Sequence, residues 1–137
     1  MERFLQDECD AGQLSPLTLA FLGDAVFEVF ARERIVCGGS RPVSALHRLS
    51  VRKVCCGAQA EASRLLFPIL TEEEAAVFRR GRNAHTGHVP KNAQQEEYHE
   101  ATALEALFGY LYLNGRIARL RELFEKIEAG RNVQPSG

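Results

Sequence analysis

The chain has 137 residues, one domain's worth of protein, and its 45% hydrophobic content is enough to bury a real core. Its 17 Lys and Arg stand against 18 Asp and Glu, a formal net charge of −1, which excludes an overall basic excess as the mark of a nucleic-acid partner, so any such site must be local. The start MERFLQDECD has no basic segment leading into an apolar run, and no apolar stretch is long enough to cross a bilayer, so the sequence reads as a soluble, cytoplasmic protein without a membrane partner.

Helical spacing and helix punctuation recur along the chain while strand-like alternation does not, so the fold class is all-α. Ser15-Pro16 is read as the N-cap and first residue of a helix that CGGS at 37–40 stops. Ser40-Arg41-Pro42 opens a second, long helical stretch, ended by Pro68 and open to a break near Gly57. Thr71 and Glu74 form a capping box for a helix to about Arg80. The segment GRNAHTGHVPKNAQ at 81–94 has no periodic apolar face and reads as a long loop. EATALEALFGYLYL at 100–113 is a second strongly apolar helix, stopped by Asn114-Gly115, and RIARLRELFEKI is an amphipathic closing helix. GRNVQPSG finds no core to join and is expected to fray. The chain thus divides into an N-terminal extension over 1–13, a helical domain over 14–128 and a flexible tail over 129–137.

Cysteines 9, 37, 55 and 56 show no CxxC spacing and are read as reduced, mostly buried thiols. His85 and His88 are spaced like zinc ligands, but no Cys or acidic pair nearby completes a set of four, which argues against zinc.

Two acids are out of place. On the first helix Leu17, Ala20, Phe21, Asp24, Glu28 and Ala31 share one stripe, and Asp24 interrupts its apolar face. On the later helix Ala101, Thr102, Glu105, Phe108, Gly109 and Tyr112 form an equivalent stripe, with Glu105 the lone charge between 101 and 113. Gly23 and Gly109 lie beside these acids, where a missing side chain admits a second backbone or a ligand. A buried carboxylate without a partner costs several kcal/mol or takes up a proton. Three partners are open: an Arg from the long second helix, water in an outward-facing cleft, or a hard divalent cation.

Charge is segregated along the sequence. From Ala75 to Gln95 there is no acid, while Arg79, Arg80, Arg82, His85, His88 and Lys91 gather around a Gly- and Asn-bearing segment. From Arg34 to Ala60 there is again none, with Arg41, Arg48, Arg52 and Lys53 added. Such a face suits phosphates beside an acidic pocket, or else only aids solubility.

With these residues in view, LAFLGDAVFE resembles the signature helix of ribonuclease III domains, and ATALEALFGYLYL resembles their second acidic helix, in the same order and at a matching separation. RGRNAHTGHVPKNAQQEEYHEATALEALFGYLYL is similar in particular to Mini-ribonuclease III, the short bacterial form without a separate double-stranded-RNA-binding domain. The resemblance covers roughly residues 14–128. It implies an all-helical homodimer in which Asp24 and Glu105 are the catalytic, metal-binding acids. The implied cofactor is Mg²⁺, with Mn²⁺ as a substitute, and the implied reaction is hydrolysis of double-stranded RNA to 5′-phosphate ends. It also implies that Phe21 lies near the two-fold axis, that the substrate is large-subunit ribosomal RNA precursor, and that a ribosomal protein is a candidate to present it. On this reading Arg79, Arg80, Arg82 and Lys91 are candidates to clamp backbone phosphates, and Asn83 and Asn92 to bond 2′-hydroxyls or phosphates. The longer enzymes carry further acids one turn before each of the two, where this chain has Ala20 and Thr102, a departure shared by the short form that leaves the number of metal ions open. Glu28 is a candidate outer-shell carboxylate, against an ordinary helix acid. The alternative is a non-catalytic helical module for duplex RNA or a ribosomal protein, with Ala20 and Thr102 as marks of lost chemistry.

Overall fold

The computed structural model describes residues 3–84 and 93–133. Six α-helices follow one another: α1 (Pro16–Val36), α2 (Val43–Val54), α3 (Cys56–Leu66), α4 (Glu72–Arg82), α5 (Ala93–Leu113) and α6 (Ile117–Val133). Short 3-10 turns occupy Ala11–Gln13 and Phe67–Ile69, and no strand occurs among the described residues.

Local chemistry explains three of the helix ends. The Ser15 hydroxyl accepts from the Thr18 N–H at 3.2 Å and Pro16 takes the first turn of α1, where its missing N–H costs nothing. Both bonds of the Thr71–Glu74 capping box form, at 3.1 and 3.0 Å. At the end of α5 the Gly115 N–H reaches the Tyr112 carbonyl and the Arg116 N–H reaches that of Leu111, both at 2.9 Å, with Gly115 at φ 70°. This Schellman closure requires a left-handed residue, and glycine supplies it without a Cβ penalty.

One expectation is borne out and three are corrected. The second helical stretch breaks at Cys55, two residues before Gly57, where an extended backbone ends α2 and opens α3. Helix α5 begins at Ala93 rather than near 100, so the connection from α4 spans 83–92 rather than 81–94. Its polar first turns carry no apolar stripe because they are partly exposed and reach neighbours through long side chains: the Glu97 carboxylate lies 3.7 Å from where a Cβ on Gly57 would stand. Helix α6 continues to Val133 instead of fraying from Gly130. Gly130 packs against Leu65, and Arg131 pairs with Glu128 and donates to the Lys53 carbonyl at 3.1 Å. Finally, all four cysteines are free and exposed, since Cys9 precedes the helices, Cys37 lies just past α1 and Cys55 and Cys56 occupy the α2–α3 junction.

Helix α5 is the axis of the molecule. Leu104, Leu107, Phe108 and Leu111 are fully buried in one cluster with Phe27 and Ala31 of α1, Leu66 of α3, Phe78 of α4, and Leu120, Leu123 and Ile127 of α6. The Phe27 ring meets Phe108 and Phe124 edge-on at 5.2 and 5.9 Å. Helix α1 crosses α5 backbone to backbone. A Cβ on Gly23 would fall 1.6 Å from the Glu105 carbonyl oxygen, and one on Gly109 would fall 2.1 Å from that of Leu19. Both glycines are therefore what permits the crossing. On another face, Gly81 sets the end of α4 against Ala103 and Ala106. The start of α4 is tied to α6 by Arg119, which grips the buried Glu74 with Nε at 2.9 Å and Nη2 at 2.8 Å.

Candidate active site

The crossing decides what the two acids do. Because Gly23 lies against Glu105, the next residue of α1, Asp24, opens toward the Glu105 side chain. The two carboxyl groups share a hydrogen bond in a cleft of about 440 Å³. Leu17, Ala20, Phe21 and Glu28 of α1 and Thr102 of α5 line that cleft, so most of the α1 stripe reaches it, whereas of the α5 stripe only Thr102 and Glu105 do and Ala101 and Phe108 are buried in the core. Asp24 is exposed and Glu105 half-buried.

Electrostatics distinguishes the three partners open at the outset. No Arg or Lys pairs with Asp24 or Glu105 among the described residues, which removes the internal ion pair. Burial, reinforced by the hydrogen bond to Asp24 and by its charge, pushes the Glu105 carboxyl up to about 8; a hydrogen bond from Gln59 acts in the opposite sense. Like charges held this close bind either a proton or a cation. The donor set therefore fits a hard divalent ion, with Asp24 and Glu105 as its protein ligands and the remaining positions left to water and substrate oxygens, the habit of Mg²⁺ sites. No group of three or more His, Cys, Asp and Glu side chains suited to a metal occurs among the described residues.

The sequence-predicted residues separate into groups. Asp24, Glu105, Phe21 and Glu28 meet in the cleft, but Glu28 is engaged by Arg32 at 2.7 Å. Phe21 is 85% exposed on the cleft wall. Arg79, Arg80, Arg82 and Asn83 cluster at the C-terminal end of α4, which borders the cleft through the contact of Gly81 with the Thr102 carbonyl. Arg79 and Arg80 are exposed, the first over the Phe67 ring at 5.3 Å. Arg82 is already committed: its Nε lies 3.0 Å from the carboxylate of Glu100, which is buried. Lys91, Asn92, His85 and His88 lie outside the described residues.

Two contributors went unread in the sequence. Tyr98 lines the cleft from the polar part of α5, and Gln59 reaches Glu105 from α3. A lone glutamine between two alanines, and a tyrosine in a segment with no apolar period, gave no signal.

A model of the ribonuclease III domain matches residues 17–116, which span α1 to the end of α5 and hold both acids. The chain belongs to the ribonuclease III family. It is 50% identical over 112 residues to the Mini-ribonuclease 3 of Symbiobacterium thermophilum, covering 82% of this chain and 86% of that one. Against the Mini-ribonuclease 3 of a Thermoanaerobacter species, identity is 45% over 112 residues, covering 82% and 79%. A crystal structure of a Fusobacterium nucleatum protein shares the fold with a TM-score of 0.80 at 30% identity, over 90% of this chain and 94% of that one. As a ribonuclease III the chain is an endoribonuclease, of a family that acts on double-stranded RNA with divalent metal. Its all-α architecture accords with that family.

Proposed function

We propose that this ribonuclease III is a Mg²⁺-dependent endoribonuclease, able to use Mn²⁺, whose substrate is double-stranded RNA of the large-subunit ribosomal RNA precursor. The observation that carries the metal is the unpaired, facing carboxyls of Asp24 and Glu105. The ribosomal substrate rests on likeness to Mini-ribonuclease 3 proteins. Asp24 and Glu105 would hold the ion. Bound there, it would polarise the scissile phosphate and lower the pKa of the attacking water, leaving 5′-phosphate and 3′-hydroxyl ends. Neither acid serves as a nucleophile.

The chain's own residues orient the duplex. Arg79 and Arg80 bear exposed charge beside the cleft for backbone phosphates, with Asn83 next to them and Lys91 and Asn92 as further candidates from the sequence. Recognition of this kind reads helical shape rather than sequence and is strongly salt-dependent. The exposed Phe21, with Val29 half-exposed on the same helix, offers an apolar surface for a homodimer that would set two clefts along one duplex. A ribosomal protein that presents the RNA would supplement so small a binding surface. No helix among the described residues is long and apolar enough to cross a membrane, and a cytoplasmic place of action follows from the proposed substrate. The domain limits of 14–128 are those of the proposed catalytic unit, onto which Gly130 and Arg131 of α6 also pack.

The test is incubation of the protein with a long duplex RNA and a single-stranded control, with and without Mg²⁺, beside Asp24→Asn and Glu105→Gln. Duplex cleavage that needs Mg²⁺ and disappears in both variants, while gel-shift affinity persists, is the outcome predicted here. Wild-type turnover in either variant removes the assignment.

A further inference from the structure

Between Arg34 and Ala60 the chain has no acid, and helix α2 lies wholly within that stretch. Its inner side is held in place: Ser50 is buried, Val54 packs against the central cluster, and Lys53 reaches Glu128 of α6 at 2.6 Å. Its outer side carries Arg48 and Arg52, one turn apart and both exposed. No acid pairs with either among the described residues, although Arg32, Arg34, Arg82, Arg116, Arg119 and Arg131 each have one. Like charges at this spacing cost a helix about 0.2–0.5 kcal/mol, so helix stability does not account for the pair. Solubility is served by interspersed charges of both signs, whereas a face of one sign attracts an anion.

The place of α2 in the fold says which anion. It begins at the last turns of α1, where Ile35, Val36, Leu46 and His47 line one hollow with Arg32. Arg32 in turn pairs with Glu28 of the cleft wall at 2.7 Å. Just past the other end of α2, Gly57 faces Glu97, the neighbour of the cleft residue Tyr98. Helix α2 therefore runs beside the cleft, from the C-terminal end of α1 toward α5. Arg80 of α4 stands at the opposite end of α1, where its guanidinium donates to the Leu14 carbonyl at 3.4 Å. The two basic faces thus sit at the two ends of a helix about 30 Å long that carries Asp24 near its middle. We propose that the outer face of α2, through Arg48 and Arg52, is a second phosphate-contact surface for the RNA duplex, at the other end of α1 from Arg79 and Arg80. A duplex laid along α1 then meets cations on both sides of the acids and is held in register over them. The inference rests on the reading of the protein as a nuclease for double-stranded RNA.

The experiment compares Arg48→Gln, Arg52→Gln, their double variant, Arg80→Gln and Lys126→Gln with the full-length parent. Binding of a long duplex RNA and of a single strand is followed by fluorescence anisotropy over a range of KCl without divalent metal, alongside thermal unfolding and steady-state duplex cleavage in Mg²⁺. Lys126 is the control, an exposed lysine of α6, a helix that does not line the cleft. Arg48→Gln and Arg52→Gln are each expected to reduce the salt slope of duplex binding by about 1, and together by about 2. KM for the duplex rises with kcat little changed, and the unfolding temperature stays at the parental value. Lys126→Gln is expected to keep the parental slope. If the double variant keeps that slope while Arg80→Gln lowers it, the α2 surface is overturned and the duplex reading stands. If Lys126→Gln lowers the slope as much as either arginine variant, net charge alone is responsible and the proposal fails. If the double variant binds RNA like the parent but loses a parental affinity for polyglutamate, the face serves an acidic protein and the proposal also fails. If the parent binds duplex no better than single strand and no variant changes the slope, the duplex reading is wrong and the inference falls with it.

Discussion

Gly23→Ala probes the crossing on which the site depends. The new methyl carbon would stand 1.6 Å from the Glu105 carbonyl oxygen, 2.6 Å from its carbon and 2.7 Å from the Gly109 nitrogen, where ordinary contact begins near 3.4 Å. The helices must therefore part by about 2 Å, because backbone cannot rotate aside as a side chain can. Alanine gains about 1 kcal/mol of helix propensity over glycine. Extra methylenes in adaptable cores cost about 1–3 kcal/mol, and here the obstacle is main chain of the central helix, so the upper end is exceeded. A net loss of about 3 kcal/mol remains, which in a domain of this size lowers Tm by about 10 °C. Circular dichroism melting measures it, with Gly57→Ala as control: there the nearest atoms are the Glu97 carboxylate oxygens at 3.7 and 4.0 Å, and Tm should hold or rise. Below the melting point the parted helices also draw Asp24 away from Glu105, and cleavage should fall about a hundredfold. A Gly23→Ala protein that melts within about 2 °C of the parent would refute the close-crossing account.

Further predictions concern charge. Arg119→Met strands the buried Glu74 carboxylate and should cost about 3 kcal/mol in urea unfolding, with Glu74→Leu in the same chain restoring part of it. Burial alone would raise the Glu74 carboxyl, but hydrogen bonds from Arg119 and Thr71 hold it below its ordinary 4.5. Its contribution to stability is accordingly whole above about pH 4.5 and lost as pH falls through the lower folded value, and the Arg119→Met protein should show a shallower acid decline. Arg80→Gln should leave melting unchanged and reduce the salt slope of duplex binding by about 1, whereas Arg82→Gln should lower stability by about 1–2 kcal/mol, since it abandons Glu100. Identical melting of the two variants would contradict that division. Chelation of divalent metal should abolish cleavage without melting the fold, because the hydrophobic cluster that holds α5 is built without the site.

Much of this was readable from residue order. Ser15-Pro16, Thr71 with Glu74 and Asn114-Gly115 placed their helix ends because each satisfies specific backbone groups locally. Asp24 and Glu105 were legible as acids out of keeping with their stripes, and Gly23 and Gly109 as places of close approach. Their meeting was not, since periodicity gives the face of a helix but not which helix it meets. The early start of α5 escaped because QQEEYHE presents no apolar face, and Arg82 looked free for phosphate until Glu100 was placed beside it. Gln59 is the clearest case: its burial comes from α3 lying on α5, a long-range fact absent from any local window.

The chain carries its two acids on long helices rather than on loops, at the point where those helices have the least material between them. No partial opening of the crossing can spare the cleft, so catalytic competence and global folding should be lost in one step. Amide protons of Gly23 and Gly109 should then exchange with solvent only through whole-molecule unfolding, at the slowest rate the protein shows.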